Sequence, residues 1–332
     1  MNACLSRRMG VRMKGYQWAV TAGAAVLGTA ALTEGIAAYF FRRTIIRQNA
    51  VTERTMKMSG TDWSIYAEKI KSLKEPVLER KHEDVFIRSK DGLKLHGTFF
   101  QKGSSKKVMI GFHGYTGKGM NDLIGVSNFY FAHGYSVLLV DERAHGDSEG
   151  KYIGFGCLDR EDAMEWIRYV INETGEDCEI CLHGVSMGGA TVLMTSGLAL
   201  PSQVKAIVSD CAFTSAWEVF AHVLRKMYHI PAAPILTAAD KMVQTQAGYS
   251  LKQCNAAEEV KKAKVPILFI HGNRDTFVPC SMCYELYHAC ASKKDIMIVD
   301  GASHAESFYK EQERYEQKLD TFFKAIAVNA AD

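Results

Sequence analysis

From Glu83 onwards the chain alternates between short apolar runs and longer stretches of mixed polarity. The runs Lys107–Phe112, Tyr135–Val140, Glu179–His183, Val204–Ser209, Pro266–Ile270 and Asp295–Val299 are too short for helices and rich in Val, Ile and Leu. Such runs predict strands buried on both faces. Helices are predicted near Asn121–His133, Leu158–Glu173, Ser281–Cys290 and Ala305–Ile326. Ahead of them, Glu83–Ser89 and Leu93–Gln101 flank Lys90-Asp91-Gly92, a hairpin turn. The sum is an α/β fold: eight strands, an antiparallel start and a mostly parallel sheet with helices on both faces. One stretch, Ala216–Lys264, breaks the rhythm with helix-like segments around Pro231 and Pro234. An insertion between two late strands forms a cap over the strand C-terminal ends, where open α/β sheets bind ligands.

The N-terminal pattern differs. Residues Tyr16–Phe41 are mostly small and apolar, with aromatics at both ends, four basic residues before them and Arg42, Arg43 and Arg47 after. A bilayer span needs about 20 apolar residues, and interfacial aromatics favour that assignment. Glu34 costs up to roughly 3 kcal/mol at the centre of a span and less towards an end. A cleavable signal peptide is the alternative, but no small-x-small site follows Leu32 and the apolar stretch resumes after Glu34. The expected organisation is a basic segment and membrane anchor over 1–43, a helical connector over 44–80 and the α/β domain over 81–332, with its cap at 216–264. Trp63, Ile65, Tyr66, Ile70 and Leu73 give the connector a partial apolar face, and Pro76 ends it. The basic-residue count leans towards a cytoplasmic N-terminus. That places the catalytic domain outside the cell membrane.

Composition narrows the function. The formal net charge is +3 over 332 residues and no basic stripe carries interleaved aromatics, so nucleic acid is not an expected partner. Nine scattered cysteines form no disulfide framework. Cys178/Cys181 and Cys280/Cys283 have Cys-x-x-Cys spacing, the sharp reading of which is a four-cysteine zinc site. Cys178 and Cys181 lie at and in a strand, where an offset of three turns them to opposite faces, so no metal is expected there.

The chemistry gathers at Gly184-Val-Ser186-Met-Gly188-Gly189, which follows an apolar run and precedes a helix former. This is the nucleophile-elbow pattern, which leaves one serine exposed on a sharp strand-to-helix turn. A serine needs a base, and the base an orienting carboxylate. Asp275 and His304 follow the strands ending at Ile270 and Val299, on the edge that carries Ser186. Asp210, after an earlier strand, is the rival acid. The oxyanion donors are the backbone N–H of Met187 and that of Tyr115 in the loop after the third strand. His113, His183 and His271 suit structural roles. The loop Asp141–Gly150 suits a polar brace more than a metal cluster.

The motifs His113-Gly-Tyr-Thr, Asp141-Glu-Arg-Ala-His-Gly-Asp-Ser-Glu-Gly, Gly184-Val-Ser-Met-Gly-Gly, His271-Gly-Asn-Arg-Asp-Thr-Phe-Val-Pro and Gly301-Ala-Ser-His resemble the α/β-hydrolase superfamily of serine hydrolases. Within it the chain is similar to N-terminally membrane-anchored bacterial cell-surface hydrolases, relatives of the serine aminopeptidase-like and ABHD-type groups. The resemblance implies Ser186, Asp275 and His304 as a triad, no cofactor, and hydrolysis of an acyl ester. An amide or peptide bond and a thioester are the alternatives open to the same triad. A non-catalytic binding protein of the same fold is the alternative of another class, but the chain keeps both serine and histidine. Trp217, Phe220, Leu224, Met227, Tyr228 and Met242 in the cap suit an apolar acyl group. The residues do not determine the oligomeric state.

Overall fold

The computed structural model describes residues 28–48 and 60–328. Its sheet has the strands β1 (Glu83–Arg88), β2 (Lys94–Phe100), β3 (Lys107–Phe112), β4 (Ser136–Val140), β5 (Glu179–Val185), β6 (Val204–Asp210), β7 (Ile267–Gly272) and β8 (Lys294–Val299). They lie in the order β1-β2-β4-β3-β5-β6-β7-β8. The pairs β1–β2 and β2–β4 are antiparallel and the rest parallel. Every predicted strand is present within one or two residues of its expected ends.

The apolar runs have no polar face because the sheet is covered on both sides. Alternate residues of β4 enter different cores: Leu138 and Val140 join one cluster, Val137 and Leu139 the other. Cys178 and Cys181 fall in opposite clusters, and the eight cysteines among the described residues are free thiols. Cys178 and Cys181 therefore do not face one another.

Nine helices carry labels here: α1 (residues 28–40), α2 (Ala67–Leu78), α3 (Ile124–Ala132), α4 (Asp159–Thr174), α5 (Met187–Thr195), α6 (Ala216–Lys226), α7 (Ala232–Met242), α8 (Cys280–Ala289) and α9 (Gln312–Val328). α4 begins with Asp159, Glu161 and Asp162, whose charges suit the positive end of the helix dipole. It stops at Gly175, whose φ of 105° a side chain resists. α6 opens the cap with a capping-box pattern, Ser215 accepting a hydrogen bond from the Glu218 amide. Helices α6 and α7 lie between β6 and β7.

Three expectations need correcting. The predicted helix Ala305–Ile326 is two helices, Ser307–Lys310 and α9, separated at Glu311 where the backbone leaves the helical region (φ −128°, ψ 56°). Pro76 does not end α2 but sits inside its last turn. There the ring forfeits only one hydrogen bond before the helix stops anyway. Ile65 is exposed, while Trp63, Tyr66, Ile70 and Leu73 pack on the second core cluster. The connector turn Trp63–Tyr66 is a 3₁₀ helix, which puts residues three apart on one side.

Residues 1–27, which include positions 16–27 of the expected membrane span, lie outside the described residues. Among the described residues no helix is long and apolar enough to cross a membrane. The end of the expected span is protein-packed: Ala37, Phe41 and Ile45 are buried in the first core cluster. α1 runs into a π-turn, Phe41–Ile45, and Ile46 then bridges to Tyr152. The Arg47 guanidinium donates to the carbonyls of Gly146 and Ser148.

Strand β5 meets α5 at very short range. A Cβ on Gly188 would overlap the carbonyl oxygen of Phe112, and one on Gly184 would overlap the carbonyl of Gly188. Both are backbone neighbours and cannot rotate away. Gly188→Ala is therefore expected to lower stability by more than about 2 kcal/mol or to abolish soluble expression. Gly35→Ala, at an exposed position of α1 with open space around it, should be neutral or stabilising by up to about 1 kcal/mol. Thermal melts of the two variants check this; equal melting temperatures would contradict it.

Candidate active site

Ser186 stands between β5 and α5 with φ 56° and ψ −112°. That conformation costs a non-glycine residue roughly 1–3 kcal/mol and survives only where the surroundings impose it. The surroundings do so here: the Ser186 amide donates to Asp210 O (2.8 Å) and the Gly188 amide to His113 O (2.9 Å). The turn lifts Ser186 above the C-terminal edge of the sheet.

The structure brings Ser186, His304 and Asp275 together. His304 Nε2 lies 2.8 Å from Ser186 Oγ, and His304 Nδ1 lies 2.6 Å from Asp275 Oδ2. The amides of Phe277 (2.9 Å) and Val278 (2.8 Å) donate to Asp275 Oδ1. His271 Nε2 donates to Val278 O at 2.9 Å and stands 3.2 Å from Asp275 Oδ2. Burial alone would raise the Asp275 pKa, but the facing imidazoles of His304 and His271 outweigh it and hold the carboxyl well below its usual range. An ionised Asp275 facing Nδ1 fixes its proton there and leaves Nε2 as the acceptor for the serine hydroxyl.

Asp210, the rival acid, makes no hydrogen bond to His304. It is fully buried at the end of β6, and burial pushes its pKa up to about 6 against the attraction of His271 and His304. The acid that meets the histidine ring is Asp275.

Tyr115, in the loop after β3, and Met187, the first residue of α5, both border the same cavity as Ser186. Neighbouring amides are spent within the protein: Gly114 N donates to Asp122 Oδ2 (2.8 Å) and Thr116 N to His145 Nε2 (3.1 Å). The loop 114–117 is thus held from both sides of Tyr115. A Cβ on Gly117 would collide with the Asp122 carboxylate.

The histidines around this loop have their tautomers fixed by backbone partners. His145 Nε2 accepts from an amide, so it carries no proton; Nδ1 faces the Arg143 carbonyl at 3.0 Å and must donate. His113 repeats the pattern, with Glu142 N donating to Nε2 and Nδ1 facing Gly114 O. Burial, followed by the neighbouring His113, lowers the His145 pKa to about 3. His183 lies between the hydroxyls of Tyr130 (3.0 Å) and Tyr315 (3.1 Å), and burial lowers its pKa to about 3 as well. His113 and His183 hold structural positions, as the sequence suggested, and His145 joins them.

The Asp141–Gly150 loop is a brace. Asp141 accepts from the Gly119 and Asp147 amides and from His96, and Arg143 forms a paired ion bridge to Asp162 (2.6 and 2.7 Å) and another to Asp91. His96, Asp141 and Asp147 bring three donor atoms within 4.8 Å of one another. However, both His96 nitrogens already face carboxylates, Asp141 at 2.9 Å and Asp84 at 3.0 Å, leaving no lone pair for a metal. The carboxylate of Asp141 raises the His96 pKa, with Asp84 adding to it.

Two contacts were not legible in the sequence. Thr61 Oγ1 donates to His304 O (2.7 Å), and Tyr66 OH donates to Glu306 Oε1 (2.5 Å). The connector thereby clasps the loop that carries the histidine. Asp122, eight residues beyond Gly114, was also missed; its only signal was an acid shortly after a glycine-rich loop.

Two cavities flank Ser186. One, of about 400 Å³, has His304, Asp122, Asp210, Trp63, Lys74 and Tyr309 on its wall. The other, of about 210 Å³, lies between α1 and the cap and ends on Ser186 and Met187. Tyr115 and Phe277 border both.

Comparison with known proteins agrees with this architecture. The Bacillus subtilis protein YqkD is 28% identical over 236 residues, 71% of this chain and 77% of its own length. The thiohydrolase aneE of Aspergillus aculeatus is 27% identical over 165 residues, 47% of this chain and 51% of its own. An esterase from Pyrococcus furiosus superposes with a TM-score of 0.62 at 23% identity, covering 75% of this chain and 92% of that one, a likeness of fold. The model of the prolyl oligopeptidase family matches residues 130–329, more than half of the chain. An eight-stranded sheet with this elbow and this family match identifies the protein as a serine hydrolase of the α/β-hydrolase type that belongs to the prolyl oligopeptidase family.

Proposed function

We propose that the protein hydrolyses carboxylic esters through an acyl-enzyme formed on Ser186, with His304 as base and Asp275 as its orienting acid. The observation that carries this is the run of hydrogen bonds from Ser186 Oγ through His304 to Asp275. In the first step the Ser186 oxygen attacks the substrate carbonyl carbon while His304 Nε2 takes the hydroxyl proton. The negative charge collects on the former carbonyl oxygen, which the amides of Tyr115 and Met187 receive. The intermediate collapses, the alcohol oxygen takes the proton from His304 and leaves, and the acyl group remains on Ser186. Water then repeats the sequence, losing its proton to His304 and releasing the carboxylic acid and the serine.

The ester preference draws support from the apolar cavity beside Ser186. The Aspergillus thiohydrolase keeps a thioester in view, and the family name a peptide bond. A panel of matched p-nitrophenyl esters, anilides and thioesters sorts these classes; higher kcat/KM on the anilide would replace the ester assignment. The N-terminal anchor and an outward-facing catalytic domain belong to the same proposal and rest on the apolar pattern ahead of Ile36, since residues 36–45 pack against the hydrolase domain. Recovery of the full chain in a washed membrane fraction supports the anchor; a full-length chain wholly in the supernatant refutes it.

A fluorophosphonate probe is expected to label the wild type and to ignore Ser186→Ala. Asp275→Asn is expected to lower kcat on a short ester by about 10⁴-fold, through loss of the correct tautomer, and Asp210→Asn by much less. A folded wild-type protein inert to the probe would defeat the proposal, and wild-type activity in Asp275→Asn with a large loss in Asp210→Asn would reassign the acid.

The neutrality of His145 yields a second prediction. Its folded pKa of about 3 lies below the ordinary value of about 6.5. Its contribution to stability is therefore fully present above about pH 6.5 and is lost as the pH falls towards 3. Nitrogen-15 NMR of the imidazoles should place the His145 midpoint near 3; a midpoint near 6.5 would contradict the tautomer assignment. His145→Ala should lower kcat by up to about 10²-fold through displacement of the Tyr115 amide.

A further inference from the structure

The two cavities beside Ser186 are not equivalent chemically. His304 must hand its proton to the departing alcohol, so the leaving group occupies the side of the serine that His304 faces. The larger cavity has His304 on its wall and the smaller does not. The acyl remainder then extends the other way, past Met187 and Tyr115, into the smaller cavity. We infer that this cavity is the acyl pocket and that the N-terminal segment 36–44 is one of its walls, so that residues ahead of the hydrolase sheet set the acyl chain length. This rests on the ester-hydrolase reading above.

The wall is built, not incidental. Phe40 packs edge-on against Phe220 of the cap, with ring centres 5.0 Å apart. Phe220 packs in the same way on Phe155 (4.9 Å), and Phe155 stacks on Tyr115 (5.4 Å). An aromatic chain thus runs from the N-terminal segment through the cap to the oxyanion loop. Tyr115 OH also donates to the Arg43 carbonyl at 3.0 Å. Beyond the cavity the segment is clamped by Arg47 N to Lys151 O (2.8 Å) and Ile153 N to Ile45 O (2.8 Å).

The lining also defines the ligand class. Ile36, Phe40, Phe213, Val219 and Leu224 supply apolar surface, and among the described residues the single charged one on the wall, Arg43, donates from its guanidinium to Gln48 Oε1 at 3.3 Å. Among the described residues no carboxylate lines the cavity to receive an amine. The pocket therefore takes an uncharged aliphatic acyl chain and rejects an aminoacyl group, whose ammonium would be buried unpaired.

The test compares kcat/KM of the full chain on p-nitrophenyl acetate, butyrate, hexanoate and octanoate. Wild type should gain about fourfold per methylene until the cavity is full. Ile36→Trp, which fills the cavity from the α1 side, should lower the hexanoate-to-acetate ratio at least tenfold. Phe40→Ala should move the optimum to a longer chain. Fluorophosphonate labelling and a thermal melt accompany each measurement. Variants that fold and label like wild type yet keep its chain-length profile overturn the inference and leave the hydrolase reading intact. Failure of the wild type to label overturns both. If Ile36→Trp does not fold, the profile of Phe40→Ala decides.

Discussion

At Ser186 the chain turns from strand to helix within one residue, at a φ of 56° that serine adopts only under constraint. Everything around the site follows from the need to hold that turn. Gly184 and Gly188 are glycines because backbone atoms occupy the space where their side chains would be. The amides of Ser186 and Gly188 tie the turn to β6 and to the end of β3. Those ties fix the serine relative to the two loops that bear Asp275 and His304, and relative to the loop that carries Tyr115. The strain at one residue is stored against the centre of a sheet buried on both faces.

The polar groups around the turn divide by charge state. Asp275 is buried but ionised, because three N–H groups donate to it and the His271 ring stands beside it. His113, His145 and His183 are buried and have partners that suit the neutral ring. This division places one permanent negative charge behind His304 and keeps competing positive charge away from the oxyanion side. Arg143 neutralises the acids beneath the loop, and His96 bridges Asp84 and Asp141 at the sheet edge. The site is thus a small set of poised groups set in a larger frame of buried hydrogen bonds.

Most of the fold was legible because buried parallel strands write themselves as short apolar runs, and each run found here became a strand. The triad candidates were legible because Asp275 and His304 follow strand ends, a position that depends on chain order rather than on long-range packing. What escaped the sequence depends on contacts between distant segments. Thr61 reaches His304 across 243 residues, and no local pattern announces such a contact. The apolar face of residues 36–45 has the same composition whether it meets lipid or protein, so the end of the expected span could be seen as a pocket wall only once α1 was placed against the cap. The break at Glu311 escaped because a single residue leaving the helical region does not disturb the apolar periodicity around it.

The family match and the elbow make the protein a serine hydrolase, and the geometry of Ser186, His304 and Asp275 gives that assignment a mechanism. Its central claim is a covalent bond between the substrate acyl group and one oxygen. Rapid acid quench of the full chain during turnover of p-nitrophenyl hexanoate, followed by peptide mass spectrometry, tests this directly. The account predicts a hexanoyl group on the peptide that holds Ser186, absent in Ser186→Ala. Turnover with no adduct at any time, or an adduct on another residue, would contradict it.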